Sequence, residues 1–124
     1  MPMPVQGLDH INIRTTDVMA SVRFYEDVLG LKYTAGPLVR GHQGHWLCDS
    51  SGNAIIHLRE KSTYSPATGS IDHIALRADG QDEMVRRLEA RGIEFKVAEG
   101  LLPGITQVFF IDPHGIPFEI QFSR

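Results

Sequence analysis

Four side chains in this sequence are of types that hold a divalent metal ion: His10, His57, His73 and Glu119. Three imidazoles and one carboxylate make a hard-to-borderline donor set, suited to Zn, Ni, Mn, Fe(II) or Co and unsuited to Cu(I) or an iron–sulfur cluster. A lone histidine on a strand is ordinarily structural or solvated. Here the four are tied together by an internal repeat, which changes their weight. Leu8-Asp9-His10-Ile11-Asn12-Ile13-Arg14 returns 63 residues later as Ile71-Asp72-His73-Ile74-Ala75-Leu76-Arg77, and His57 and Glu119 correspond at an offset of 62. His10, His73 and Glu119 are enough for a two-histidine, one-carboxylate site, with His57 as the fourth candidate.

The elements that position these residues repeat as well. Each Asp-His-Ile segment reads as a strand followed by an amphipathic helix. The first helix runs from Asp17 to Leu29, with Val18, Val22, Tyr25 and Leu29 at helical spacing. The second runs from Asp79 to Arg91, with Met84, Val85 and Leu88. Asp17 and Asp79 are suited to N-caps, and Gly30 and Gly92 to left-handed C-terminal positions. Glu83 with Arg87 and Asp82 with Arg86 are spaced as i,i+4 pairs. Short β-rich runs follow: Lys32 to Thr34, His45 to Cys48 and Ala54 to Arg59, then Ile93 to Val97, Gln107 to Ile111 and Phe118 to Phe122. Asp49-Ser50-Ser51-Gly52 and Asp112-Pro113-His114-Gly115 are tight turns joining the last two strands of each half.

The predicted fold is therefore α+β, with two βαβββ modules as half-barrels about a pseudo-two-fold. Residues 1–124 form one domain, with module 1 about 7–60, a Ser/Thr/Pro/Gly-rich linker 61–70 and module 2 about 71–124. Residues two apart on a strand share a face. His57 lies with Ile55 and Arg59 against Ile56 and Leu58, and Glu119 lies with Pro117 and Gln121 against Phe118, Ile120 and Phe122. The all-apolar sets, including Ile11/Ile13 and Ile74/Leu76, are the faces for helices to cover. The His and Glu side chains then point to the opposite, concave side, where the two half-sheets meet.

The Asp-His-Ile openings, Phe24-Tyr25-Glu26-Asp27-Val28-Leu29-Gly30-Leu31 and Asp112-Pro113-His114-Gly115-Ile116-Pro117-Phe118-Glu119-Ile120 resemble the vicinal oxygen chelate superfamily. Its members include glyoxalases, extradiol dioxygenases, fosfomycin-resistance transferases and bleomycin-resistance proteins, and the resemblance spans Leu8 to Phe122. It implies metal ligation by His10, His73 and Glu119. Glyoxalase and epimerase members add a fourth ligand, usually Glu or Gln, where this chain has His57. The resemblance also implies a homodimer whose two sites can draw residues from both subunits. The activity it implies is that of a glyoxalase-type lyase or isomerase acting on a small oxygen-rich substrate through bidentate metal chelation. Such a reaction needs a base near the reacting carbon, and Glu119 is the best carboxylate available. An Fe(II) extradiol-type dioxygenase and a non-catalytic drug- or metabolite-binding protein of bleomycin-resistance type are the alternatives.

Other residues are weighed against bland roles. His42, His45 and Tyr64 are candidates for an additional acid or base, although loop histidines are commonly just solvated. Arg14, Arg59 and Arg77 share the concave parity and can hold an anion or reach solvent. His114 reads as a turn residue, Trp46 as pocket wall or core, and the single Cys48 as a small hydrophobe. With 12 Lys+Arg against 15 Asp+Glu among 124 residues, the net charge of −3 gives no basic field for nucleic acid or an anionic membrane. Apolar runs such as Val108-Phe109-Phe110-Ile111 are strand-sized, well short of the roughly 20 residues that cross a bilayer. The opening residues lack a basic n-region and an apolar h-region, so the expected address is cytoplasmic.

Overall fold

The computed structural model describes residues 6–39, 41–62, 69 and 71–123. Tyr64 and most of the expected linker 61–70 lie outside the described residues. The chain divides into two compact units, Met1–Tyr64 and Ser65–Arg124. Each has the strand–helix–three-strand order anticipated from the repeat.

In the first unit, β1 (Ile11–Thr15), α1 (Val18–Leu29), β2 (Lys32–Val39), β3 (His42–Cys48) and β4 (Ala54–Glu60) form a four-stranded sheet in the order β1-β4-β3-β2. β1 and β4 are parallel and the other pairs antiparallel. Asp17 caps α1 by accepting from the Ala20 N–H, and Gly30 ends it at φ 69, where its N–H reaches the Glu26 carbonyl. Only a residue without Cβ takes that left-handed turn at no steric cost. α1 packs on β2, β3 and β4, burying Val18, Val22, Phe24, Tyr25 and Val28. Val28, rather than Leu29, completes the fully buried stripe. Ile13, Thr15, Leu47, Ile56 and Leu58 are buried in this sheet, as alternation requires.

In the second unit, β5 (Ile74–Arg77), α2 (Gln81–Ala90), β6 (Phe95–Leu102), β7 (Ile105–Ile111) and β8 (Pro117–Ser123) repeat the topology as β5-β8-β7-β6, with β5 and β8 parallel. Val108, Phe110, Phe118, Ile120 and Phe122 make its core with Met84 and Leu88 of α2.

Several local expectations are corrected. The N-cap of α2 is Gly80, at φ 84 and with no side-chain cap, so Asp79 stands one residue too early. Asp82 and Glu83 instead lie in the first turn, where the helix dipole favours negative charge. Glu83 takes both arginines, with Arg86 at 2.6 Å and Arg87 at 3.2 Å, so the Asp82–Arg86 pair does not form. β2 continues to Val39 and β6 starts at Phe95. β3 starts at His42, three residues before its expected first residue His45, so His42 also lies on the strand and not in a loop. His10 and His73 each precede the first residue of their strand by one position.

The two predicted turns form as equivalents. Asp49 Oδ1 accepts from the Ser51 and Asn53 N–H groups, and Asp112 Oδ1 from those of His114 and Ile116, at 2.8–3.0 Å. Asp112 is buried where Asp49 is half-buried, so its carboxylate has less water to fall back on. Asp112→Ala should therefore lower unfolding free energy by about 2–3 kcal/mol, the scale of losing hydrogen bonds to a charged acceptor. Asp49→Ala should give a distinctly smaller change in the same urea titration.

Candidate metal centre

The second unit brings His73 and Glu119 together, with His73 Nε2 lying 3.3 Å from Glu119 Oε1. His73 Nδ1 donates to Asp72 Oδ2 at 2.7 Å, which leaves Nε2 as the lone-pair nitrogen facing the carboxylate. Glu119 sits on β8 at 7% exposure. Its Oε2 accepts from Gln121 Nε2 at 2.7 Å and from Gln107 Nε2 at 3.0 Å. β7 pairs in register with β8, placing Gln107 opposite Gln121 and beside Glu119. The Gln121 and Gln107 amides, and after them His73, hold the Glu119 carboxyl below its usual range against the opposing effect of burial. Gln107 Oε1 is buried and unpartnered among the described residues.

This donor pair fits a metal ion. Two donors at about 2.0–2.2 Å from one ion, separated by a near-right to tetrahedral angle, stand roughly 3–3.4 Å apart. Nε2 and Oε1 of this pair fall in that range, and the other ends of both side chains are already engaged. Beside His73 opens a cavity of about 580 Å³ lined by Asp72, Phe95, Lys96, Phe109 and Phe118 among others.

The first unit repeats half of this arrangement. His10 Nδ1 donates to Asp9 Oδ2 at 2.7 Å, as in the Asp72–His73 pair. His57 lies against His10 face to face, with ring centroids 3.7 Å apart and planes 11° from parallel. Trp46 stacks on His57 at 5.0 Å and 18°. Burial, with the neighbouring His10 adding to it, lowers the pKa of the His57 imidazole. Among the described residues, no His, Cys, Asp or Glu group of three or more is gathered as a metal cage in either unit. Each unit thus presents two of the four predicted residues.

The remaining candidates separate by strand face. His45 shares the parity of buried Leu47 and bonds Tyr33 Oη through Nδ1 at 2.8 Å, so it belongs to the helix-covered side, opposite His57. His42 has the parity of Trp46 and is exposed. Arg14 and Arg59 are exposed register partners on the parallel pair, and Arg77 is exposed on β5. His114 is a turn residue, but a buried one. Sequence reasoning missed Asp9 and Asp72, whose signal was the acidic residue directly before each repeated histidine. It also missed the Gln107 and Gln121 clamp. Gln121 was visible two residues from Glu119, but Gln107 needed the strand register.

The sequence model for the Glyoxalase/Bleomycin resistance protein/Dioxygenase superfamily matches residues 7–120. The chain belongs to that superfamily. Within reach of this glyoxalase-superfamily chain is the uncharacterized protein YwbC of Bacillus subtilis (strain 168), 29% identical over 114 residues, which are 85% of this chain and 87% of YwbC. Among solved structures, a glyoxylase/bleomycin resistance protein/dioxygenase domain from Frankia sp. EAN1pec superposes with a TM-score of 0.76 at 22% identity, covering 98% of this chain and all of that one. The genomically encoded fosfomycin resistance protein FosX from Listeria monocytogenes gives a TM-score of 0.72 at 18% identity, covering 98% of this chain and 96% of its own. These two likenesses show that the paired βαβββ units are the superfamily fold. No helix among the described residues is long and apolar enough to cross a membrane.

The carboxylates around His73 generate a titration that can be read directly. The Asp72 hydrogen bond first, then the charge of Asp72 and of Glu119, stabilise the imidazolium and raise the His73 pKa above 6.5. In a proton NMR titration of the metal-free protein, His73 should titrate above that value. Asp72→Asn should return it most of the way, and Glu119→Gln by less. A metal ion competes with that proton, so ion affinity should fall as the pH drops through the raised value.

Proposed function

We propose that the protein is a divalent-metal-dependent lyase or isomerase of glyoxalase type, acting on a small oxygen-rich substrate. His10, His73 and Glu119 hold the ion, and residues 1–124 work as one functional domain of two modules joined at 61–70. The observation that carries this reading is the His73–Glu119 pair, two donors facing one point with their outer atoms already tied to Asp72, Gln107 and Gln121. A bound Zn, Ni, Mn, Fe(II) or Co ion would supply Lewis acidity to two adjacent substrate oxygens.

The chain's own residues do the rest. Asp72 and Asp9 hold each histidine in the tautomer that offers Nε2. Gln121 and Gln107 keep Glu119 ionised by occupying Oε2, which leaves Oε1 as the oxygen to ligate or to accept a proton from the carbon beside a substrate carbonyl. The cavity lined by His73 gives a substrate body room beside that histidine and shields it with Phe95 and Phe109. We further propose that the protein acts in the cytoplasm as a homodimer on a small molecule, with no nucleic-acid partner.

The test is metal content together with turnover. Purified or reconstituted protein should carry about one divalent ion per chain, and His73→Ala should lose it. The same variant should lose more than about 100-fold in turnover of the methylglyoxal–glutathione hemithioacetal or of whichever related substrate proves active, beyond the range of outer-shell changes. Wild-type protein that stays metal-free after reconstitution with each of the five metals would overturn the proposal. Oxygen uptake with catechols under Fe(II) loading would replace it with the dioxygenase reading. Tight ligand binding that survives chelation without turnover would replace it with a binding role.

A further inference from the structure

We infer that His57 is a positioning residue for His10 rather than a metal ligand: it is the middle ring of a stack, Trp46–His57–His10, that fixes the plane of the His10 imidazole. The inference rests on the reading of His10 as an ion-holding residue.

The geometry separates the two roles. The lone pair of an imidazole nitrogen lies in the plane of its ring, so a ligating histidine meets its ion edge-on. His10 and His57 are face to face, 3.7 Å between centroids and 11° between planes. Two such planes run alongside each other, and no nearby point lies in both. One ion cannot take in-plane lone pairs from both rings as they stand.

The stack has its own support. β4 lies between β1 and β3, so His57 is the central ring and Trp46 backs it from the next strand, where the two are register partners. Trp46 in turn rests on Gly36. A Cβ built there would stand 2.8 Å from the indole Cε2 and 2.9 Å from Nε1, so only glycine leaves the indole its seat. The result is a slab of flat groups, seated on Gly36 of β2, that runs from β3 across β4 to the residue before β1. His10 lies at its open end, with a third of its side chain exposed, and one further tether, Asp9 on Nδ1, which is itself almost fully exposed. Asp9 selects which nitrogen faces outward. The slab sets the plane in which that nitrogen points, and a donor held in one orientation loses less entropy on binding.

The repeat supplies the contrast. The position equivalent to His57 in the second unit is Glu119, which turns a carboxylate oxygen toward His73 Nε2 at 3.3 Å. One unit therefore uses this position for an edge-on donor and the other for a ring face.

Two variants distinguish the roles because each keeps one property of His57 and discards the other. His57→Phe keeps a flat face and has no donor, whereas His57→Gln keeps a donor and has no ring. In calorimetric titrations with Ni²⁺ and Zn²⁺, the Phe variant should bind within about threefold of wild type and the Gln variant about tenfold or more weakly, the scale of outer-shell changes. The reverse order, equal loss or equal retention would overturn the inference. The metal-free proteins give an independent reading by NMR. The His10 ring protons should keep their ring-current displacement in the Phe variant and move to solvent-exposed positions in the Gln variant, and unchanged shifts in the Gln variant would also overturn it. Wild-type protein that binds neither ion would defeat the proposed function, while the NMR comparison would still decide the stack.

Discussion

A carboxylate that is nearly removed from water stays ionised only if hydrogen-bond donors or cations replace the water it has lost. The organisation of the second unit follows from meeting that condition for Glu119. Gln121 approaches along the same strand and Gln107 across the β7–β8 ladder, and both engage Oε2. The remaining oxygen is then directed at His73, whose far nitrogen is committed to Asp72. The proposed metal centre rests on this division of labour. Outer atoms are fixed by protein so that inner atoms converge before the ion arrives.

The internal repeat gives both units one topology, and the side chains placed on it make the halves inequivalent. Both units share the parallel pairing of their first and last strands, the Asp-His step before the first strand and the aspartate-centred turn before the last. They part at the position matched by His57 and Glu119. In one unit it carries a buried anion with amide donors behind it, and in the other an imidazole sandwiched between rings. Common topology set the coordinates of the position, and neighbouring side chains set its chemistry.

Much of this was legible in the residues. The Asp-His-Ile repeat, the period-two alternation around His57 and Glu119 and the two Asp-to-Gly turns depend on local pattern, and local pattern survives in a linear sequence. What escaped depended on partners brought from afar. Gln107 becomes a donor to Glu119 only through antiparallel register, and His45 falls on the far side of the sheet from His57 because the β3–β4 register sets Trp46, not His45, opposite His57. The cap of α2 was misplaced for a different reason: Asp79 looks suitable by type, but the chain turns at Gly80 through a left-handed conformation and starts the helix without side-chain help. The seat of Trp46 on Gly36 had no sequence signal, since a glycine in a strand run does not say which ring will cover it.

That seat has an optical corollary. Trp46 is the chain's single tryptophan, and it lies flat against one imidazole that lies flat against the next. Indole emission responds in colour and yield to the charge and polarisability of groups in contact with the ring. The molecule therefore carries a built-in fluorophore two rings away from His10, and light emitted from one strand can report what arrives at another without any label.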